Sequence, residues 1–237
     1  MSVIDILREN AAGYGLTVSD DLARKLQIYA SELKEWNEKI NLTAITDDEG
    51  IALKHFLDCL LVSRYASFEN GMKIIDVGTG AGFPGLVLAA AFPEISVTLL
   101  DSTGKKLKAV EAMAQAMGVG NVTVIHSRAE EAGKKPELRE QFDFATARAV
   151  AELRVLLEYT LPFVKKGGSF LSLKSVTAKE EISAASNAMK VLGGNVAAIS
   201  EFSLPGGDSR VIIEVKKISQ IPTKYPRPSA QISKKPL

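Results

Sequence analysis

Residues Lys73 to Gly85 read KIIDVGTGAGFPG. Ile74, Ile75 and Val77 make a short apolar run with the period and residue types of a buried strand. Asp76 is the only acid in it and stands at the strand's end. Glycines then recur at 78, 80 and 82. Such a turn brings bare backbone close to a ligand where a Cβ would collide. Phe83-Pro84 can open a helix, since proline suits a first helical turn. Free N–H groups there would attract anions or other acceptors. The stretch therefore predicts a nucleotide-type site at the carboxyl end of a strand. The bland alternative is a glycine turn that only joins strand to helix.

Gly80 to Gly85 also satisfies G-x-G-x-x-G, the dinucleotide pattern. Asp76 argues against a pyrophosphate, because its carboxylate two residues before Gly78 would repel one. A carboxylate suits a ligand with an ammonium group. S-adenosyl-L-methionine carries an ammonium and a sulfonium and no phosphate. Asp101 ends the next apolar run, nineteen positions after Gly82, where an acid commonly bonds a ribose diol. It could equally cap the helix expected over Lys105–Met117.

Working outward, apolar runs and helical patterns alternate from Lys73 onward. Strands are expected at Ile95–Asp101, Asn121–Ser127, Phe142–Val150 and Ser169–Lys174, with helices at Lys105–Met117, Ala151–Val164 and Lys179–Leu192. Phe202–Leu204 and Arg210–Lys217 flank Pro205-Gly206-Gly207-Asp208 as a hairpin. This alternation predicts an α/β fold with a doubly wound, mostly parallel seven-stranded sheet of Rossmann-like type. Before it, Leu22, Leu26, Tyr29, Leu33, Trp36 and Ile40 share one helical face. A helix over Asp47–Ala66 would start with a Thr46–Glu49 capping box. We read 1–237 as a single domain made of a helical extension (1–66), an α/β core (67–218) and a basic tail (219–237), with no linker-like stretch before the glycine turn. The tail TKYPRPSAQISKKPL has three prolines and no acids and is expected to build no core. It reads as a solvated terminus or as a phosphate-binding arm.

With 237 residues, 46% hydrophobic and 24% charged, the chain has the composition of a globular protein. A net charge of +1 sets up no global field for nucleic acid, so such a partner must meet a local patch. There is no apolar run of membrane-spanning length and no basic-then-apolar leader, which makes the cytoplasm the default, with no membrane partner. The one cysteine, Cys59, cannot form an intrachain disulfide or a cysteine-based zinc cluster, and no metal site is read. A monomer is the default state.

Ser127-Arg128-Ala129-Glu130 follows the third strand and must lie at the same sheet edge, where it can read an adenine edge; Glu130 could also be a plain surface residue. Arg148 sits among small and apolar residues and needs an anionic partner, either Asp76 or another acid in a structural pair, or a group at the site's rim. His55 and Asp58 share a helical face, where they either border the acceptor's site or simply cap and pair locally. Arg128, Lys174, Arg210, Lys224 and Arg227 are candidate phosphate contacts.

NLTAIT (41–46), KHFLDCL (54–60), DVGTGAGFPG (76–85), LLDS (99–102), SRAEE (127–131), TARAVAEL (146–153) and the tail's YPR occur in that order. Together they closely resemble the small-subunit ribosomal RNA methyltransferase G family, also called glucose-inhibited division protein B. The resemblance implies a class I methyltransferase that uses S-adenosyl-L-methionine to methylate guanine N7 in 16S rRNA of the small ribosomal subunit. It carries cofactor positions over to Gly78, Phe83, Ala129, Glu130 and Arg148. With the residue-based readings, the candidate cofactor set is Asp76, Gly78, Gly80, Phe83, Asp101, Ala129, Glu130 and Arg148. No catalytic residue is assigned, since N7 carries a free lone pair and no proton. Thr103-Gly104 and Lys106 depart from the family's usual residues, as does the end of the tail. The competing readings are a methyltransferase with a small-molecule or protein acceptor, an NAD-dependent oxidoreductase and a non-catalytic RNA-binding module.

Overall fold

The computed structural model describes residues 1–148, 151–175 and 180–237. Ala149 and Val150, the end of the expected fourth strand, and Lys179, the start of an expected helix, lie outside them. Seven strands form one sheet: β1 Lys73–Val77, β2 Ser96–Asp101, β3 Val122–His126, β4 Phe142–Arg148, β5 Val164–Ser175, β6 Gly194–Ser203 and β7 Ser209–Lys217. Their order is β3-β2-β1-β4-β5-β7-β6. The first five are parallel, and β7 runs antiparallel between β5 and β6. The doubly wound, mostly parallel fold is as expected. Strand order reverses between β1 and β4, so a crevice opens at their carboxyl ends.

The parallel strands are apolar in continuous runs because both faces are covered. Ile74, Val97 and Leu99 face one layer, made of the N-terminal helices with α5 (Gly85–Ala91) and α6 (Gly104–Met117). Ile75, Val77 and Leu100 face the other, made of α7 (Ala129–Ala132), α8 (Leu153–Thr160), α9 (Glu180–Ala184), α10 (Ser186–Leu192) and the tail.

The extension begins with α1 (Val3–Gly13), capped by a Ser2–Asp5 box, and α2 (Asp20–Lys39), capped by Ser19. Leu22, Leu26, Tyr29 and Leu33 of the expected stripe are buried, and Trp36 and Ile40 pack at its edge. A run of mixed pitch follows: α3 (Asp48–Gly50), a π-helical turn at Ile51–Leu57, α4 (Asp58–Leu60) and a 3₁₀ turn at Leu61–Arg64. Its cap is Asp47, which accepts the Gly50 N–H at 2.7 Å. The expected Thr46–Glu49 box is off by one residue. Asp47 can occupy that position because residue 50 is a glycine; a Cβ there would collide with Ile45 and Asp47.

Two strand readings change: β5 begins at Val164 and not at Ser169, and β6 also begins earlier. β6 begins at Gly194, well before Phe202, because most of this edge strand faces solvent and shows no apolar run. The expected helix before it is broken in two at Ala185. The tail differs most. Ile221, Tyr225 and Ile232 are buried, and α11 (Ser229–Lys234) lies beside α8. Arg139 donates to the carbonyls of Ile221 and Tyr225 at 3.0 and 2.8 Å. Arg227 is not a free phosphate contact. It grips the fully buried Glu158 through Nε and Nη2, at 2.8 and 2.6 Å, and its backbone N–H donates to the same carboxylate. Composition suggests an arm because the partner acid lies 69 residues upstream.

Removing one member of a buried ion pair strands the other. Arg227→Ala is expected to lower the unfolding free energy by about 3 kcal/mol, read as a lower urea midpoint at unchanged slope. An unchanged midpoint would mean that the tail is not anchored this way.

Candidate functional site

The glycine turn is held from four directions. Asp76 Oδ2 accepts the Thr79 hydroxyl at 2.6 Å and the Gly85 N–H at 2.9 Å, and Oδ1 accepts the Thr146 hydroxyl of β4 at 3.1 Å. The backbone N–H groups of Gly78 and Thr79 donate to the Leu100 carbonyl. Asp101 Oδ2 accepts the Gly80 N–H at 2.9 Å. From α2, the fully buried Tyr29 donates its hydroxyl to the Ala81 carbonyl at 2.7 Å. The turn needs glycine for two separate reasons. Gly82 has φ +103°, and a Cβ there would strike the Tyr29 hydroxyl. Gly80 has φ +60°, and a Cβ there would meet only a carbonyl 3.9 Å away, so the turn presents bare backbone to open space.

That space is a cavity of about 450 Å³ at the carboxyl ends of β1 to β4. Its floor is Gly78, Thr79, Gly80 and Phe83. One side is Asp101, Ser102 and Lys106, and another is Ser127, Arg128, Ala129 and Glu130. Arg148, with Thr43 and His55 from the N-terminal layer, forms the inner wall. Leu156 and Tyr159 of α8, with Ser229 of the tail, form the rim. Gly78, Gly80, Phe83, Asp101, Ala129, Glu130 and Arg148 are thus brought together as the sequence predicts.

Asp76 is the exception. It is fully buried, does not line the cavity, and spends both oxygens on donors of the fold. The reading of Asp76 as a direct partner for a ligand's ammonium is therefore corrected to a brace under the turn. Burial pushes its carboxyl above the usual range, and the bonds from Thr79, Gly85 and Thr146 offset only part of that rise. The expectation of free N–H groups at the following helix changes as well, since the Gly85 N–H is already taken by Asp76. A pyrophosphate would lack that donor.

Asp101 keeps capacity toward the cavity beyond the Gly80 and Thr103 N–H groups that it accepts. It does not cap α6, whose N-cap is Thr103. Arg148 finds its acid in Asp58, at 3.4 Å, and not in Asp76. It also donates to the Lys54 carbonyl at 3.1 Å, and its guanidinium lies over the Phe83 ring at 4.8 Å. His55 stacks on the same ring at 4.4 Å. His55 and Asp58 both meet Arg148 and both are buried, His55 in the cavity wall and Asp58 behind it.

Of the other candidate cations, Lys174 pairs with Glu181 at 2.8 Å, and Arg210 lies between Asp58 and Asp208. Arg128 is the freest of those on the cavity, 62% exposed and 3.9 Å from Glu130. Lys224 is exposed beside the Tyr225 ring. The wall residue Thr43 and the rim pair Tyr159–Ser229, 3.1 Å apart, carry no functional pattern in the sequence, whereas His55 stands inside KHFLDCL. The only trace of Thr43 is its place inside NLTAIT.

A family model described as rRNA small subunit methyltransferase G matches residues 22–212. Proteins named ribosomal RNA small subunit methyltransferase G are similar over the whole length. The one from Acetivibrio thermocellus is 46% identical, covering 98% of this chain and 96% of its own. The one from Clostridium perfringens strain 13 is 43% identical, covering all of both. Among solved structures, MtNAS in complex with MTA and tNA superposes with a TM-score of 0.58 at 12% identity, covering 91% of this chain and 76% of that one. A 16S rRNA (adenine(1408)-N(1))-methyltransferase from Catenulisporales acidiphilia gives 0.53 at 17%, covering 65% and 88%. At such identities these two likenesses establish the fold alone.

The wall also sets a pH response. His55 Nδ1 accepts from Arg148 Nη2 at 3.3 Å, which leaves Nε2 to face the Thr43 hydroxyl at 2.9 Å. Burial, then the Arg148 charge, lower its pKa from 6.5 to about 4. The folded imidazole stays neutral while the unfolded one takes a proton below pH 6.5. Stability from this residue is complete above 6.5 and drains as pH falls toward 4. The wild type is expected to lose up to about 3 kcal/mol more than His55→Gln between pH 7 and 4, measured by urea unfolding at both. Parallel losses would remove His55 from the account.

Proposed function

Because the chain belongs to the rRNA small subunit methyltransferase G family, we propose that it transfers a methyl group from S-adenosyl-L-methionine to N7 of a guanine in 16S rRNA. The observation that carries this reading is the pairing of Asp101 with a bare glycine turn in one cavity at the sheet's switch point. The cavity fits an adenosine-bearing ligand. Gly80 offers it backbone with no side chain in the way, and Asp101 offers a carboxylate where a ribose diol would sit. Ala129 and Glu130 would border the adenine, and Arg148 and His55 would close the methionine side.

When bound, S-adenosyl-L-methionine supplies an electrophilic methyl on a sulfonium. Guanine N7 offers an in-plane lone pair and no proton, so the protein needs no general base. Its residues orient the partners and exclude water. Alignment of this kind can lower a barrier by roughly 7–11 kcal/mol. The wall has the rigidity that alignment demands, because Phe83 is stacked by Tyr29, at 5.2 Å, and by His55, and capped by Arg148. Cys59 takes no part as a nucleophile. It is fully buried, and burial pushes its thiol up to about 12. We place the reaction in the cytoplasm, with the small ribosomal subunit as partner and a monomer as the working form.

Incubation with methyl-labelled cofactor and small subunits lacking the modification is expected to label one guanine at N7. Label on metabolites or protein instead, or tighter binding of NAD than of S-adenosyl-L-methionine, would reject the assignment. Asp101→Asn is expected to weaken cofactor binding about tenfold, the loss of one hydrogen bond to a charged group, measured by calorimetric titration. An unchanged affinity would take the ribose away from Asp101.

A further inference from the structure

A second cavity, of about 460 Å³, lies beside the first. Its volume falls within the roughly 300–1,000 Å³ usual for small-ligand clefts. Among the described residues, the two cavities share His55 and Arg148 in their linings, so they adjoin at this pair. A direct transfer needs the reacting atoms in contact, about 3–3.5 Å apart, so an acceptor cavity must adjoin the first one, as this cavity does beside His55 and Arg148.

The chemistry of the second cavity is distinct. Ile45, Leu173, Phe202, Val211 and Ile212 give it an apolar side. Among the described residues, Lys54, Arg148, Lys174 and Arg210 face two carboxylates, Asp58 and Glu181, so cations outnumber acids in that lining. One of the cations is loosely held and another is paired with an acid that is not buried. Arg210 Nε is 3.4 Å from Asp58 and Nη2 is 3.9 Å from Asp208, both beyond good hydrogen-bond length. Lys54 Nζ is 2.9 Å from Asp208, a half-exposed acid that follows the Gly206-Gly207 turn. A phosphate could take both cations in place of Asp208 with little cost in buried charge. An apolar slot with an aromatic ring beside a cationic rim is what an unpaired nucleotide requires, with its base against the slot and its phosphate on the rim.

We propose that this cavity is the acceptor site, taking one unstacked purine nucleotide of RNA. Its base lies on the Ile45–Leu173–Phe202 side, its phosphate lies between Lys54 and Arg210, and its N7 edge is turned toward the first cavity where the two adjoin beside His55 and Arg148. This rests on the methyltransferase reading. In the transfer, the N7 lone pair forms the new N–CH₃ bond and the S–CH₃ bonding pair stays on sulfur. The positive charge passes from sulfonium to purine, and no proton moves. Asp58, buried beside the wall, is placed to face that charge.

The test uses the full-length protein, methyl-labelled S-adenosyl-L-methionine and unmodified small subunits. Lys54→Ala is expected to raise KM for subunits about tenfold, with Lys54→Arg restoring most of the loss, as for one phosphate contact. Phe202→Leu keeps the packing against Tyr65 apolar and is expected to lower kcat/KM several-fold. Cofactor affinity by calorimetry and the thermal midpoint should stay near wild type in all three. Wild-type kinetics in both Lys54→Ala and Phe202→Leu would overturn the site. A parallel fall in cofactor affinity would also overturn it, returning these residues to the first cavity. Failure of the wild type to label any RNA is a different result: it removes the methyltransferase reading, and this site with it.

Discussion

Everything at the carboxyl edge of the sheet is hung on the Asp76 carboxylate. It lies fully out of water. A charge there is tolerable only when its lone pairs are filled. Thr79, Gly85 and Thr146 fill them, and each belongs to a different part of the site: the turn, the start of α5 and the strand β4. One side chain therefore fixes the turn against its own helix and across the switch point. The arrangement also requires α5 to approach β1 and β2 closely. A Cβ at Gly85 would collide with Leu99 and Asp76 itself.

The turn's second anchor comes from outside the α/β unit. Tyr29 reaches from α2 to the Ala81 carbonyl, and its ring packs between Phe56, at 5.4 Å, and Phe83, at 5.2 Å. Phe83 in turn carries His55 and Arg148. The N-terminal helices are thus a wall of the site as well as a cover for the sheet. Arg148 is positioned by groups that all come from this layer: Asp58, His55 and the Lys54 carbonyl. A guanidinium at the end of β4 that stands over an aromatic face gains cation–π attraction as well as its ion pair.

The alternating units are legible in the sequence because strands covered on both faces are apolar throughout, and the helices between them keep the longer period. Glycine spacing locates the cavity for the same kind of reason: positive φ and bare backbone leave a residue-level mark. What sequence cannot carry is the direction of a side chain and the identity of a distant partner. Asp76 has the right type and position for a ligand contact, yet it points beneath the turn. Arg227 sits among prolines without an acid in sight, and its partner Glu158 is on another helix. β6 is largely illegible because an edge strand with exposed side chains has no apolar signature. Arg148 is the intermediate case. Its apolar neighbours show that it needs an anion, but only the fold supplies Asp58 in place of Asp76.

A reaction that needs no proton transfer leaves a protein with geometry as its main instrument, and the construction here follows that demand. The residues between the two cavities are held by stacking and by fixed hydrogen bonds, and His55 stays uncharged down to about pH 4. A neutral imidazole next to Arg148 keeps the wall at one positive charge, balanced by Asp58. A protonated His55 would add a second cation beside a sulfonium and a purine that is itself becoming cationic. Burial and the Arg148 charge hold that state away, which in the proposed reaction would spare the transition state that repulsion.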